Sequence, residues 1–572
     1  MSYGVTYLGE FNHYASRCQI QSKSDCLWRF VSRTTSSMFQ HGKLKFTDMY
    51  IQKETTVKCR VNTSIYFPGI IYDARDPVNL ELAFNERANS KRANPQGYVG
   101  NFDKDLRKNQ KTFCSSPGVK SYISELHKRL SIAFHSVDDS WYALCMYCYI
   151  PHIKKKLRVG ALLEVVRDSL FLIPTFIKKV SGKVKTKEWA KIGKFPRLIN
   201  DLTVVGSILG GYFCSLIKNV MAEEPFEYKN SKAYFIKTPD KEKMTQIFTY
   251  AMNTSTEDII FVYFSDDSWI IMRCSDGWAA FNVDISKCDA SHCDSLFYVL
   301  KDSLPDYPAS EYVNGNIEQC RLPLRMRNPS DNDEYIELET TCYTLYSGVT
   351  LTTIMNNIAN ILIFISIVDN FDRKIKICDA EKLVVESSRN AGYLVTCDSG
   401  KSPDKWQFLK NSFFILDDGR VVPWLNLGVI FRSLGIVDFN YRNTRKFNAH
   451  QHMCELVNGL QHAGETSILR MLRRKYSPAD GGITGHYLID NMTGTSFDYD
   501  VPDHVICDRY NVSQKDIDEF IFLFENAGPG DVVRTPFTDA VMTLDYGYDC
   551  DVELEFDYQI EPKSDREIRL IK

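Results

Sequence analysis

The stretch that most constrains this chain is residues 259–292. Two apolar runs flank Ser265-Asp266-Asp267-Ser268. Apolar runs of strand length around a short polar turn predict a β-hairpin with adjacent acids at its tip. The connection Cys274-Ser275-Asp276-Gly277 leads to a third strand, expected over 279–284 and ending on Asp284. Antiparallel neighbours need only a short connection, so the hairpin and the third strand can lie side by side. Asp266, Asp267 and Asp284 are then expected to converge at one sheet edge.

Carboxylates gathered at one point repel each other, and divalent cations relieve the repulsion. Mg²⁺ takes hard oxygen ligands and keeps positions open for water and phosphate oxygens. Two such ions roughly 3.5–4 Å apart can activate an attacking oxygen and stabilise a leaving one. Taken alone, adjacent aspartates are also ordinary turn chemistry. The rest of the chain decides between a polar turn and a metal site.

A chain of 572 residues is long enough for several domains or one multi-lobed enzyme. Its net charge of −3 makes it no polycation, so a nucleic-acid site must be a local basic channel. The 17 cysteines are odd in number and scattered, and 1–4 lack the basic start of a signal peptide. Reduced thiols in a cytosolic setting are therefore expected. Cys145 and Cys148 with His152 have no matching second pair, so no zinc site is expected. Residues 351–368 approach the length of a membrane span. They carry Asn356, Asn357 and Asn360, so a buried helix with one polar face is expected and no transmembrane segment.

Along the chain, 119–150 is expected to be helical, with Leu126, Leu130 and Phe134 on one face. Lys154, Lys155, Lys156 and Arg158 read as a solvated basic face. A second basic segment contains Lys187, Lys191, Lys194 and Arg197 and ends in an ordered turn before an apolar strand. That turn could fix Lys194 and Arg197 as a phosphate clamp. Helices are expected over 202–222 and from Asp289 to Leu300, and 302–337 reads as a polar insertion between core elements. Ser347 and Gly348 form a loop before a long helix on which Thr352 and Asn356, four apart, share a face.

Beyond that come a helix over 380–391, a short strand over 393–396, a lysine loop over 397–405 and a strand over 408–416. A helical pair around Gly464 follows, its second member made basic by Arg470, Arg473, Arg474 and Lys475. Ser513 is expected to cap a helix with Ile517, Phe520, Ile521 and Phe524 on one face. The acidic stretch 545–561 reads as a solvated or disordered end, with occupation of the basic channel as a gate the less favoured reading.

Together these residues resemble the motif set of viral RNA-dependent RNA polymerases. Asp284 with Asp289 five positions later resembles motif A. Ser347-Gly348-x3-Thr352-x3-Asn356-Asn357 resembles motif B, and Ser265-Asp266-Asp267 resembles motif C, usually Gly-Asp-Asp. The segment 185–201 resembles the basic motif F, the Lys401–Lys405 loop motif D, and Phe408-Leu409-Lys410 motif E. Motif C here precedes motif A. This C–A–B order is similar to that of the permuted polymerases of permutotetraviruses and birnaviruses. The competing placement of motif C at Val368-Asp369-Asn370 has no strand before it and is rejected.

The resemblance implies an α+β right-hand polymerase with a permuted palm. Fingers and an N-terminal extension would occupy 1–255, the palm with an inserted fingers segment 256–416, and the thumb with the acidic tail 417–572. It implies that Asp266, Asp267 and Asp284 hold two Mg²⁺ ions, for which Mn²⁺ can substitute. Lys194 and Arg197 would grip the incoming triphosphate. Asp289, Ser347 and Asn356 would read the ribose 2′-hydroxyl, with Gly348 and Thr352 in the same nucleotide site. Lys401 or Lys405 would protonate the leaving pyrophosphate. Lys187, Lys191, Lys410, Arg470, Arg473 and Arg474 would contact RNA, giving salt-sensitive binding.

The implied partners are RNA template and product, NTPs and other viral proteins. The implied location is the host-cell cytoplasm, in a viral replication complex, or the virion. Two rival readings stand beside this one. The first is a catalytically inactive polymerase-like RNA-binding subunit, and the second an unrelated two-metal nuclease or phosphatase.

Overall fold

The computed structural model describes residues 99–135, 180–185, 196–201, 203–237, 240–328, 331–340, 342–400, 405–435, 463–476, 499–527 and 532–547, with short pieces at 39–41, 59–62, 69–72, 74, 79–80, 83, 453–454, 457, 460 and 570–571. Lys187, Lys191, Lys194, Lys401, Cys145, Cys148, His152, the 154–158 basic face and the tail 548–569 lie outside the described residues.

The expected hairpin forms strands Ile259–Phe264 and Asp267–Cys274, and the third strand is Gly277–Ile285. They are the middle of a six-stranded sheet. Its order runs Val395–Ser399, Gly277–Ile285, Asp267–Cys274, Ile259–Phe264, Ser231–Phe235, Phe226–Tyr228. Neighbours are antiparallel except Ser231–Phe235 beside Ile259–Phe264, which run parallel.

Both faces of this sheet are covered, which explains why the hairpin strands are apolar nearly throughout. Side chains alternate across a strand. Ile260, Val262, Trp269 and Ile271 face helix Lys241–Asn253 through Met244, Ile247, Phe248 and Ala251. Phe261, Tyr263, Ile270 and Met272 join the larger core with the long helix Thr352–Asn370. Phe248 meets Trp269 with ring centroids 4.2 Å apart and stacks on Phe413 at 4.1 Å. Each buried aromatic of this kind contributes about 1.5–3 kcal/mol by removing apolar surface from water.

Helix Thr352–Asn370 is long and apolar enough to cross a membrane by length and composition, yet 83% of its apolar window is buried inside this fold. Asn356, Asn357 and Asn360 are at most 1% exposed within it.

A second sheet has the order Phe39–His41, Asp331–Thr340, Leu324–Asn328, Val180–Val184, Leu198–Asp201. The segment 302–337 is therefore not a plain polar insertion. It folds into helix Pro308–Glu318 and a hairpin of this sheet, anchored by buried Ala309, Val313, Ile317, Leu324 and Met326. A third, three-stranded sheet comprises Gln407–Phe408, Asn411–Ile415 and Val421–Leu425. The single strand expected over 408–416 is split. Leu409 and Lys410 both have positive φ, 51° and 60°, and make a two-residue hairpin turn.

The C-terminal helices form their own core around Trp424, Phe431, Leu472, Phe520 and Phe537. Helix Gln514–Asn526 starts in a capping box between Ser513 and Asp516 and buries Ile517, Phe520 and Phe524.

Three further expectations are corrected. The strand placed at 393–396 is Val395–Ser399. The helix from Asp289 to Leu300 is two helices, Cys288–Ser291 and Asp294–Ser303, interrupted at His292 and Cys293. Gln110, fully buried on helix Val99–Phe113, fills the interruption. Its Nε2 donates to the Ser291 carbonyl at 3.2 Å, and its Oε1 accepts from the Cys293 N–H at 2.6 Å. The acidic end does not begin in solvent either. Asp545 is 3% exposed, inside helix Pro536–Tyr546. Its carboxylate accepts from Arg509 at 2.9 Å, the Tyr510 hydroxyl at 2.9 Å and the Gly428 N–H at 2.8 Å.

Candidate active site

The acidic tip is a two-residue turn. Phe264 and Asp267 are register partners, leaving Ser265 and Asp266 as the loop. Ser265 has φ 55°, the left-handed region that glycine enters freely and other residues enter at a cost. The asparagines of the core helix hold it there. The Ser265 N–H donates to Asn357 Oδ1 at 2.8 Å. Asn360 Nδ2 donates to the Ser265 carbonyl at 2.5 Å, and Asn356 Nδ2 to Ser265 Oγ at 3.2 Å. The polar face of that helix is thus the seat of the turn. Serine gains a hydroxyl contact there that glycine would lack.

On the next strand pair, Asp267 and Asp284 are direct register partners. Directly opposite residues project from the same face of a sheet. Asp266 is the second residue of the turn, and its carbonyl accepts from the Ile285 N–H at 3.2 Å. Asp266 and Asp284 are exposed and Asp267 is half-buried. Burial pushes the Asp267 carboxyl up to about 7, helped by the charges of Asp266 and Asp284 and opposed by the Lys410 ammonium.

The three acids line one edge, but no three acid, histidine or cysteine side chains among the described residues are drawn into a ready metal cage. The donor set still fits divalent cations. All the donors are hard oxygens, and burial with mutual repulsion already holds the middle carboxyl away from its charged form. Mg²⁺ binds such edges through one or two carboxylates while water and phosphate oxygens complete its shell.

The residues expected to read the ribose stand beside this edge. Asn356 Nδ2 donates to Asp289 Oδ1 at 2.9 Å. Asn356 therefore touches both the turn and Asp289, joining the elements that resemble motifs A, B and C. The Ser347 carbonyl accepts from the Asn200 N–H at 2.9 Å, tying the loop to strand Leu198–Asp201. Gly348 has φ 97°, and a Cβ there would come within 3.2 Å of the Asn200 carbonyl oxygen. Thr352 Oγ1 donates to the Tyr346 carbonyl at 3.3 Å and closes the loop onto the helix. Arg197 enters the same strand, with its carbonyl accepting from the Lys185 N–H at 2.8 Å.

Other candidates are engaged elsewhere. Lys410 donates from Nζ to the Asp545 carbonyl at 3.0 Å and lies over the Tyr546 ring. Lys405 Nζ donates to the Asp508 carbonyl at 3.3 Å. Arg470 pairs with Asp500 at 2.8 Å, Arg473 with Glu465, and Arg474 with Glu525 at 2.8 Å. The Arg470 and Arg474 pairs are exposed and therefore worth little, whereas the Arg473–Glu465 pair is half-buried. Asp369, the rejected motif C acid, accepts from Tyr228 at 3.0 Å and Lys229 at 2.6 Å. At 1.5 Å per residue it stands about 20 Å along the helix axis from Asn356.

His292, Tyr393 and Gln110 escape sequence reasoning altogether. So does the function of Asn357 and Asn360. Three asparagines on one turn of an otherwise apolar helix were the available signal.

No protein-family model matches this chain, and no curated protein matches it significantly. Among solved structures it is similar to the birnavirus VP1–VP3 complex, with a TM-score of 0.36 at 13% identity over 53% of this chain and 44% of that one. It is also similar to the RNA polymerase VP1 from infectious pancreatic necrosis virus, with a TM-score of 0.40 at 13% identity over 68% of this chain and 56% of that one. The chain spans about half the length of these structures.

Proposed function

We propose that this chain is a viral RNA-dependent RNA polymerase with a permuted palm, joining NTPs on an RNA template by two-metal phosphoryl transfer. The observation that carries the reading is the register of Asp267 opposite Asp284, with Asp266 in the adjoining turn and Asn356 bonded to both that turn and Asp289. A polar turn alone would not need a buried asparagine face to hold it.

On this reading Asp266, Asp267 and Asp284 hold two Mg²⁺ ions, with Mn²⁺ as a substitute. The bound ions supply activation of the primer 3′-hydroxyl and neutralisation of triphosphate charge. The protein's part is positioning and electrostatics. The sheet holds Asp267 and Asp284 side by side, so neither has to move far to become a ligand. The Lys410 ammonium near Asp267 offsets part of the local negative charge. Asp289, Asn356 and Ser347 receive the ribose, and Arg197 stands immediately before the strand bonded to the Ser347 loop. The partners on this reading are RNA, NTPs and other viral proteins, in the host-cell cytoplasm or the virion.

The test is nucleotide incorporation on a short RNA primer–template with Mg²⁺ or Mn²⁺, comparing wild type, Asp267→Ala and Asp369→Ala. Extension with NTP by wild type and Asp369→Ala, with Asp267→Ala at background, supports the reading. Loss in Asp369→Ala alone moves the acidic motif to the helix end and overturns the permuted assignment. RNA binding without extension by any variant favours the inactive RNA-binding subunit.

A further inference from the structure

Behind Asp289 and Asn356 stands a histidine with no role in the mechanism above. His292 is 2% exposed and sits in the interruption between helices Cys288–Ser291 and Asp294–Ser303. Its Nε2 lies 2.8 Å from Asn356 Oδ1, and its Nδ1 lies 3.4 Å from the Tyr393 hydroxyl.

Proton positions along this chain follow from one fixed point. The Asp289 carboxylate only accepts hydrogen bonds. The Asn356 amide must therefore turn its nitrogen to Asp289, at 2.9 Å, and its oxygen to His292. That oxygen also only accepts, so His292 donates from Nε2. Its Nδ1 then carries no proton when the ring is neutral, and the Tyr393 hydroxyl is the donor beside it. Burial favours the neutral ring and lowers the His292 pKa, against opposing pulls from Asn356 and Asp289.

We propose that His292 is a positioning residue for sugar selectivity, fixing the Asn356 amide so that Asp289 and Asn356 present a single arrangement to the ribose 2′-hydroxyl. The inference rests on the polymerase reading and adds to it a residue that touches neither nucleotide nor metal. Asn356 is 1% exposed, so without His292 its oxygen is buried and lacks a donor. Such a group costs more than the bond was worth. The amide then gains by rotating toward another donor, and the Ser265 hydroxyl is within its reach at 3.2 Å. The rotated amide sets an acceptor against Asp289 and disorders the 2′-hydroxyl site. A deoxynucleotide, which makes no bond there, loses little.

The test measures single-nucleotide kcat/KM for NTP and dNTP with wild type, His292→Gln, His292→Leu and Tyr393→Phe, with thermal melting to check folding. Gln places an amide N–H near the imidazole Nε2 position and is expected to keep the NTP/dNTP ratio near that of wild type. Leu is expected to lower the ratio by roughly tenfold, the worth of about one hydrogen bond, almost all through the NTP value. Tyr393→Phe is expected to fall between them.

Parallel loss for NTP and dNTP, or an unchanged ratio in the Leu variant, overturns the inference and leaves the polymerase reading standing. If the Leu variant does not fold, a wild-type ratio in Tyr393→Phe or a collapsed ratio in His292→Gln overturns it. No incorporation by wild type overturns the polymerase reading itself, and this inference with it.

Discussion

Asn360 donates its amide to the Ser265 carbonyl at 2.5 Å, so a buried residue of the core helix supports the left-handed turn that carries the acids. Replacing Asn360 by Leu removes that donor and leaves the Ser265 carbonyl unpaired against apolar surroundings. The expected cost is about 1–3 kcal/mol, the penalty for an orphaned buried polar group. Urea unfolding monitored by tryptophan fluorescence measures it. A variant as stable as wild type would mean that the turn does not depend on this bond.

Asp545 and Arg509 are 2.9 Å apart, and their side chains are 0% and 7% exposed. Breaking one partner of a buried pair leaves the other charge unpaired, at a cost of about 3–5 kcal/mol. Asp545→Ala should therefore lower the melting temperature far more than Glu525→Ala, which removes the exposed partner of Arg474. The same pair bears on the acidic end. Truncation after Leu544 should destabilise the C-terminal helices, whereas truncation after Gly547 keeps Asp545. Equal melting temperatures for the two truncations would contradict this.

Gly392 has φ 92°, and a Cβ there would fall 2.4 Å from Gln110 Cβ and 2.6 Å from the Leu106 carbonyl oxygen. Gly392→Ala combines left-handed strain with overpacking and should cost about 2–5 kcal/mol. Helix Val99–Phe113 would be pushed from the interruption that Gln110 fills, so amide exchange at Cys293 should quicken. Unchanged exchange there would show that Gln110 does not support the break.

Glu257 is 6% exposed. Burial pushes its carboxyl up, but hydrogen bonds from Tyr250, Lys232, its backbone and Ser255 outweigh that and hold it at about 2. A carboxyl depressed in the folded state contributes stability above its ordinary value of 4.5, and that contribution is lost as pH falls through about 2. Glu257→Gln should flatten the dependence of stability on pH within that window and leave the slope above it unchanged. Denaturant midpoints at a series of acidic pH values test this, and an equally steep acid limb in the variant would refute it.

Part of the site is legible in the amino-acid sequence itself, because its signals are local. Apolar runs around Ser265–Ser268 mark a hairpin, and Gly348 followed by Thr352 and Asn356 marks a loop entering a helix face. The Asp267–Asp284 edge follows from such patterns, which depend on the two-residue period of strands and the 3.6-residue turn of helices, whereas the α+β right-hand class comes from the motif resemblance. Periodicity missed the interruption at His292 because the apolar face of Leu296, Phe297 and Leu300 lies wholly beyond it and does not mark where that helix begins.

What tertiary structure alone decided is which distant groups share a hydrogen bond. Asn356 meets His292 across 64 residues, and Gln110 reaches Cys293 across 183. Asp545 belongs by composition to an acidic end, and only the packing of helix Pro536–Tyr546 against Arg509, Tyr510 and Gly428 makes it a core residue. A chain carries its own periodicities at every point. A donor and an acceptor far apart in sequence become partners only when the fold removes both from water, because an unpaired polar group in the interior costs more than the bond itself returns.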